Sequence, residues 1–81
     1  MEKQSISGID IAVETVDGTT ERHYNTMNIL GNEVICERTI TDGEFVDVIY
    51  YNKNTLEDQE SLGRITPDKK TELESVITTL A

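Results

Sequence analysis

Few side chains in this sequence could begin a reaction. It holds one cysteine, Cys36, and one histidine, His23, among 81 residues that include 16 acidic groups. Cys36 follows Val34 and Ile35 on an apolar segment. A thiol buried there has a raised pKa and is inert. His23 lies on a threonine-rich segment beside Glu21 and Arg22, which suits an exposed or edge histidine better than a general base. No third residue is singled out to orient either one. Carboxylates are plentiful, but an acid–base pair needs a cleft that raises one pKa, and one small sheet with one helix rarely builds one. Asn52, Asn54, Asp58 and Glu60 are oxygen-ligand types, yet they lack the glycine and the spacing of a calcium loop. Zinc-type Cys/His spacing is missing. The five glycines are isolated, so no phosphate-cradling loop is present. The expectation is a protein that is not an enzyme and uses neither cofactor nor metal.

Two other features could do work. The first is charge. Seven basic residues against 16 acidic ones leave a net charge of −9. Such a balance opposes nucleic acid, whose affinity comes from Lys and Arg neutralising phosphates, and opposes anionic membranes. It favours fast encounter with a basic protein surface. Glu57, Asp58 and Glu60 gather in the penultimate segment, Glu72 and Glu74 in the last, and Asp10, Glu14 and Glu21 around the first hairpin. Each cluster alone also fits an ordinary solvated face.

The second is an apolar hairpin with two apolar faces, and it depends on the elements around it. Ile6 to Val16 alternates, with Ile9, Ile11 and Val13 on one side, and reads as a half-buried strand with a bulge at Gly8. Asp17-Gly18 is a hairpin signal. Thr19 to Leu30 reads as a second strand, broken near Asn25 to Asn28. Gly31-Asn32 makes the next turn, Glu33 to Thr41 the third strand, Asp42-Gly43 the second Asp-Gly hairpin, and Glu44 to Tyr51 the fourth strand. With no helix-length connection among them, an antiparallel meander is the simplest topology. A two-residue loop at Asp42-Gly43 sets Ile40 against Phe45, Arg38 against Asp47, Cys36 against Ile49 and Val34 against Tyr51. Ile35, Val46, Val48 and Tyr50 then share the other face, with Glu37 and Thr39. Thr55 to Leu62 has the signals of a short helix, with Thr55 as cap and Gly63 as stop. The final segment is plainer. Thr66 is an N-cap, Pro67 occupies the first helical position, and Leu73, Val76, Ile77 and Leu80 form one stripe.

The expected fold is thus α+β in one domain, residues 1–81. A four-stranded antiparallel meander with two Asp-Gly hairpins carries an amphipathic C-terminal helix on one face. One short helix cannot cover both faces, so Ile35, Val46, Val48 and Tyr50 are candidate docking residues. A lone cysteine and no signal-peptide pattern or apolar span point to the cytoplasm.

Short, acidic, disulfide-free and motif-poor chains are common among phage-encoded counter-defence proteins, including inhibitors of CRISPR effectors. On that likeness of class, the leading expectation is a small acidic inhibitor of a basic nucleic-acid-handling protein, in part a nucleic-acid mimic. Its contacts would be Glu57, Asp58, Glu60, Glu72 and Glu74, with Val46, Val48 and Tyr50 as apolar anchors. It would bind neither nucleic acid directly nor a membrane. A homodimer or larger structural oligomer built on the second sheet face is the alternative, and a toxin-neutralising immunity protein a further one.

Overall fold

The computed structural model describes residues 1–56 and 66–81. Five strands and one helix follow in chain order: β1 (Glu2–Ile6), β2 (Ile9–Thr15), β3 (Thr20–Ile29), β4 (Asn32–Thr41), β5 (Glu44–Asn52) and α1 (Pro67–Leu80). The strands form one antiparallel sheet in the order β1-β2-β3-β4-β5, a simple meander. The α+β architecture with a C-terminal helix stands, but there are five strands and not four. Ser7 and Gly8 do not make a bulge. Both take positive φ (53° and 79°), and the chain reverses between Ile6 and Ile9, which face each other across the ladder.

The same device closes two more hairpins. Leu30-Gly31 (φ 51° and 86°) and Asp42-Gly43 (φ 52° and 79°) have both central residues at positive φ. That is the type I′ pattern, whose twist matches the flanking strands. The turn after β3 is therefore Leu30-Gly31, and Asn32 already pairs with Ile29. Asp17-Gly18 behaves differently. β2 and β3 are joined by residues 16–19, and the Asp17 carboxylate accepts the backbone N–H groups of Thr19 (2.8 Å) and Thr20 (2.9 Å). That Asx-type turn makes a four-residue loop of an expected two-residue hairpin. The expected break at Asn25 to Asn28 is absent too, because β3 and β4 pair without interruption from Thr20↔Thr41 to Ile29↔Asn32.

A bulge in the last hairpin redistributes its side chains. Thr41 faces Glu44 and Ile40 faces Phe45, but the register then shifts, so that Thr39 faces Asp47, Arg38 faces Val48, Cys36 faces Tyr50 and Val34 faces Asn52. Val46 is the extra residue. Because side chains alternate along a strand, a one-residue shift moves every later residue to the opposite face. Ile49 and Tyr51 thus join Ile35 and Glu37, while Val48 and Tyr50 join Val34 and Cys36. The expected pair Arg38/Asp47 does not form.

Helix α1 starts where the sequence places it. The Thr66 hydroxyl accepts the Lys69 N–H at 3.2 Å, Pro67 opens the helix and Asp68 lies in the first turn, favourable to the helix dipole. Leu73 and Val76 are its buried residues, and Ile77 and Leu80 pack beside them. They close over Ala12, Tyr24, Ile35, Tyr51 and Leu56 to form the core. No described element packs on the opposite sheet face. The proposed helix at Thr55 to Leu62 lies largely outside the described residues. Its first two residues are not helical, Thr55 belonging to a turn and Leu56 taking φ 59°.

Candidate functional site

The sheet end that carries the β2–β3 loop and the β4–β5 turn is an acidic pole. Antiparallel alternation brings both connections to that end, and the Asp42 N–H ties them by donating to the Thr19 carbonyl at 2.8 Å. Between them lies a shallow hollow of about 330 Å³, bordered by Asp17, Thr20, Glu21, Ile40 and Asp42. Glu44 and Asp47 follow on β5. No Lys or Arg occurs from Thr15 to Glu21 or from Thr39 to Tyr50. The nearest cations in sequence are engaged elsewhere: Arg22 with Glu14 (3.1 Å), and Arg38 with the Asn25 side-chain oxygen (2.7 Å). Backbone hydrogen bonds from Thr19, then its hydroxyl, hold the Asp17 carboxyl below the usual carboxylate range, which keeps that charge in place at mildly acid pH.

Among these carboxylates two large apolar side chains stand in solvent. Phe45 is 58% exposed and Val46 56%. The bulge explains Val46, since a residue without a cross-strand partner has no neighbour to cover it. Val48 and Tyr50, further along the same strand, are half-buried. Of the other expected contacts, Glu74 is exposed on α1, while Glu57, Asp58 and Glu60 lie outside the described residues. Ile35 is fully buried beneath the helix and belongs to no docking face.

Glu72 is committed to the interior. It belongs to a polar cluster between helix and sheet that sequence reasoning missed. At its centre is Glu37 on β4, 3% exposed. Its Oε1 lies 2.8 Å from the Tyr24 hydroxyl, and its Oε2 accepts the Tyr51 hydroxyl at 2.9 Å. Lys69 on α1 donates to Glu37 and, at 3.1 Å, to Glu72 Oε2. The Lys69 ammonium also lies over the rings of Tyr24 and Tyr51, 5.5 Å and 5.8 Å from their centroids. Arg22 approaches Glu14 at 3.1 Å, Glu72 at 3.5 Å and Glu37 at 3.8 Å. The Tyr24 hydroxyl sits between Glu37 Oε1 and Glu72 Oε1 (3.1 Å) and has one proton to give, which goes to one of them at a time. Burial and then the charge of Glu37 push the Tyr24 phenol far up, so it stays neutral.

Cys36 is fully buried, and burial pushes its thiol up. His23 is half-buried and its Nε2 lies 3.1 Å from Glu21. The two do not share a strand position: Cys36 stands opposite Asn25, and His23 opposite Arg38. Asn52 caps its own turn, accepting the N–H groups of Asn54 (2.9 Å) and Thr55 (3.1 Å). Among the described residues no three His, Cys, Asp or Glu side chains are grouped to hold a metal, and no helix is long and apolar enough to cross a membrane. Comparisons with protein families, with curated proteins and with solved structures found no match to this chain.

Proposed function

We propose that the chain is a non-enzymatic protein-binding domain that blocks a basic, nucleic-acid-handling partner. The observation that carries this reading is the acidic pole. There Asp17, Glu21, Asp42, Glu44 and Asp47 share one sheet end with the exposed pair Phe45 and Val46, and segments 15–21 and 39–50 hold no Lys or Arg. A tight protein contact needs an apolar anchor that is desolvated on binding and charges that steer the approach. The pole offers both. A partner that grips phosphates offers the complementary lysines and arginines.

Capture from nuclease-treated host lysate at low and high salt, read by mass spectrometry, tests this directly. The expected result is one basic nucleic-acid-binding protein, held at low salt and released at high salt. The F45A variant and the charge-neutralised D42N/E44Q/D47N variant should both lose it. Capture that is indifferent to salt and to both variants would overturn the reading.

A second reading is favoured by one separate observation. The sheet face away from α1 carries Ile11, Met27, Val48 and Tyr50, all half-buried, and no described element packs on it. That face suits a homo-oligomer, with the acidity serving solubility. Val48→Asp would then convert a multimer to a monomer in light scattering. An unchanged mass with the fold intact would dismiss it.

A further inference from the structure

Five ionisable side chains from four elements meet between helix and sheet: Glu14 on β2, Arg22 on β3, Glu37 on β4, and Lys69 and Glu72 on α1. Three carboxyl groups face two cations, so two positive charges leave one negative charge without an offset. The geometry says where that surplus falls. One guanidinium nitrogen, Arg22 Nη1, serves both Glu14 Oε1 (3.1 Å) and Glu72 Oε1 (3.5 Å), which sets these two carboxyl groups side by side on a single donor. Two ionised carboxylates are both acceptors and repel; with one proton between them they form a hydrogen bond.

We propose that this cluster is a proton-operated latch, in which one proton shared by Glu14 and Glu72 holds helix α1 against β2 and its loss at rising pH loosens the helix. The other groups facing the pair act as a fixed frame. Tyr24 and Tyr51 present hydroxyls to Glu37, Lys69 reaches both Glu37 and Glu72, the Met1 terminus, Glu2 on β1 and Glu21 on β3 border the same hollow as Glu14, and Lys3 is turned to Asp10 at 3.8 Å. None of them supplies a second cation to Glu14.

The electrostatics of the pair agree with this arrangement. Burial first, then the hydrogen bond to Glu72 and its charge, push the Glu14 carboxyl above its ordinary value against the pull of Arg22. Burial also works on Glu72, but hydrogen bonds with Glu14 and Lys69 outweigh it and hold that carboxyl low. A raised carboxyl contributes stability that is full below its unfolded pKa and is lost as pH rises through its folded pKa. The lowered Glu72 contributes stability present above its unfolded pKa and lost as pH falls through its folded one. The helix is therefore held best in mild acid, and the loss on the alkaline side belongs to Glu14.

Amide hydrogen exchange of Leu73, Val76 and Ile77 between pH 5 and 8, corrected for intrinsic rates, reads the latch. In the unmodified chain, protection should fall about tenfold for each unit by which the Glu14 midpoint is raised. In E14Q the amide replaces the shared proton, so protection should stay nearly level and exceed that of the unmodified chain at pH 8. E74Q makes the same charge change at an exposed site on the helix and should keep the unmodified slope. E14Q and E74Q running parallel would overturn the proposal. A carbon-13 titration of the Glu14 carboxyl in the unmodified chain gives a second decision that needs no variant. A midpoint above the ordinary glutamate value supports the latch, and one at or below it refutes it.

Discussion

Glu37 is a carboxylate with almost no water, and it keeps its place through the partners gathered on it. Two phenols, an ammonium and a guanidinium converge from β3, β5 and α1. Taking one cation away leaves the charge buried and short of its match. Breaking a buried pair in that way costs about 3 kcal/mol. Lys69→Met should therefore lower the unfolding free energy from urea titration by that amount at neutral pH, despite keeping an apolar side chain over the two tyrosine rings. An effect below about 1 kcal/mol would show that water reaches Glu37 readily. The cluster was not legible in the sequence because its members stand 13, 14 and 32 residues from Glu37. What could be read was a single acid directly after the apolar run Val34-Ile35-Cys36 on β4, and that was the signal of a buried charge in need of partners. Cys36 was legible, because burial follows from its strand neighbours alone. Its thiol should react with a disulfide reagent only as fast as the chain unfolds, which a comparison of labelling with and without denaturant measures.

Elements were readable where local chemistry decides them. Thr66-Pro67 and the Leu73/Val76/Ile77/Leu80 stripe specify α1 without outside help, and Thr66→Ala should cost about 1 kcal/mol in thermal or urea unfolding. Turns were harder, because the same dipeptide has two fates. Asp42-Gly43 closes a two-residue hairpin at positive φ, whereas Asp17 spends its carboxylate on the N–H groups of Thr19 and Thr20 and opens a longer loop. Ser7-Gly8 and Leu30-Gly31 make the tight turn without an Asp or Asn at the first position, so the first was read as a bulge within one strand. Gly43 offers a clean test. An added Cβ meets nothing within 4 Å, so Gly43→Ala is strained only by its φ of 79°. It should cost about 1–2 kcal/mol, and a neutral result would mean that the turn relaxes to another type. The bulge at Val46 left no mark in the pattern either, since Phe45, Val46, Val48, Ile49, Tyr50 and Tyr51 are apolar on both faces. With both faces apolar, alternation cannot select a register, and the assignment of Val48 and Tyr50 to one face and Ile49 and Tyr51 to the other waits on packing against α1.

At the scale of the whole molecule the charge divides into two populations that differ in their response to salt. The cluster around Glu37 is shielded from solvent ions, and salt screens it weakly. The carboxylates of the acidic pole and of the exposed strand and helix positions are in solvent, and a net charge of −9 sets them against one another. If exposed, screenable ion pairs dominated stability, added salt would destabilise the fold. With self-repulsion dominant, added salt stabilises it. The burial of Glu37 against the exposure of Asp17, Asp42, Glu44 and Asp47 favours the second outcome. Raising sodium chloride from 10 mM to 300 mM at pH 7 should therefore raise the melting temperature by several degrees, as expected when about 1 kcal/mol is added to a domain of this size. The D42N/E44Q/D47N variant should begin at a higher melting temperature in low salt and gain less from it. A partner whose binding neutralises the pole would relieve the same repulsion, so its complex should also lose most of its salt-induced stabilisation. A melting temperature that falls with salt would place the dominant electrostatics in exposed pairs such as Lys3–Asp10 and Lys53–Glu33, and not in repulsion among the carboxylates of the pole.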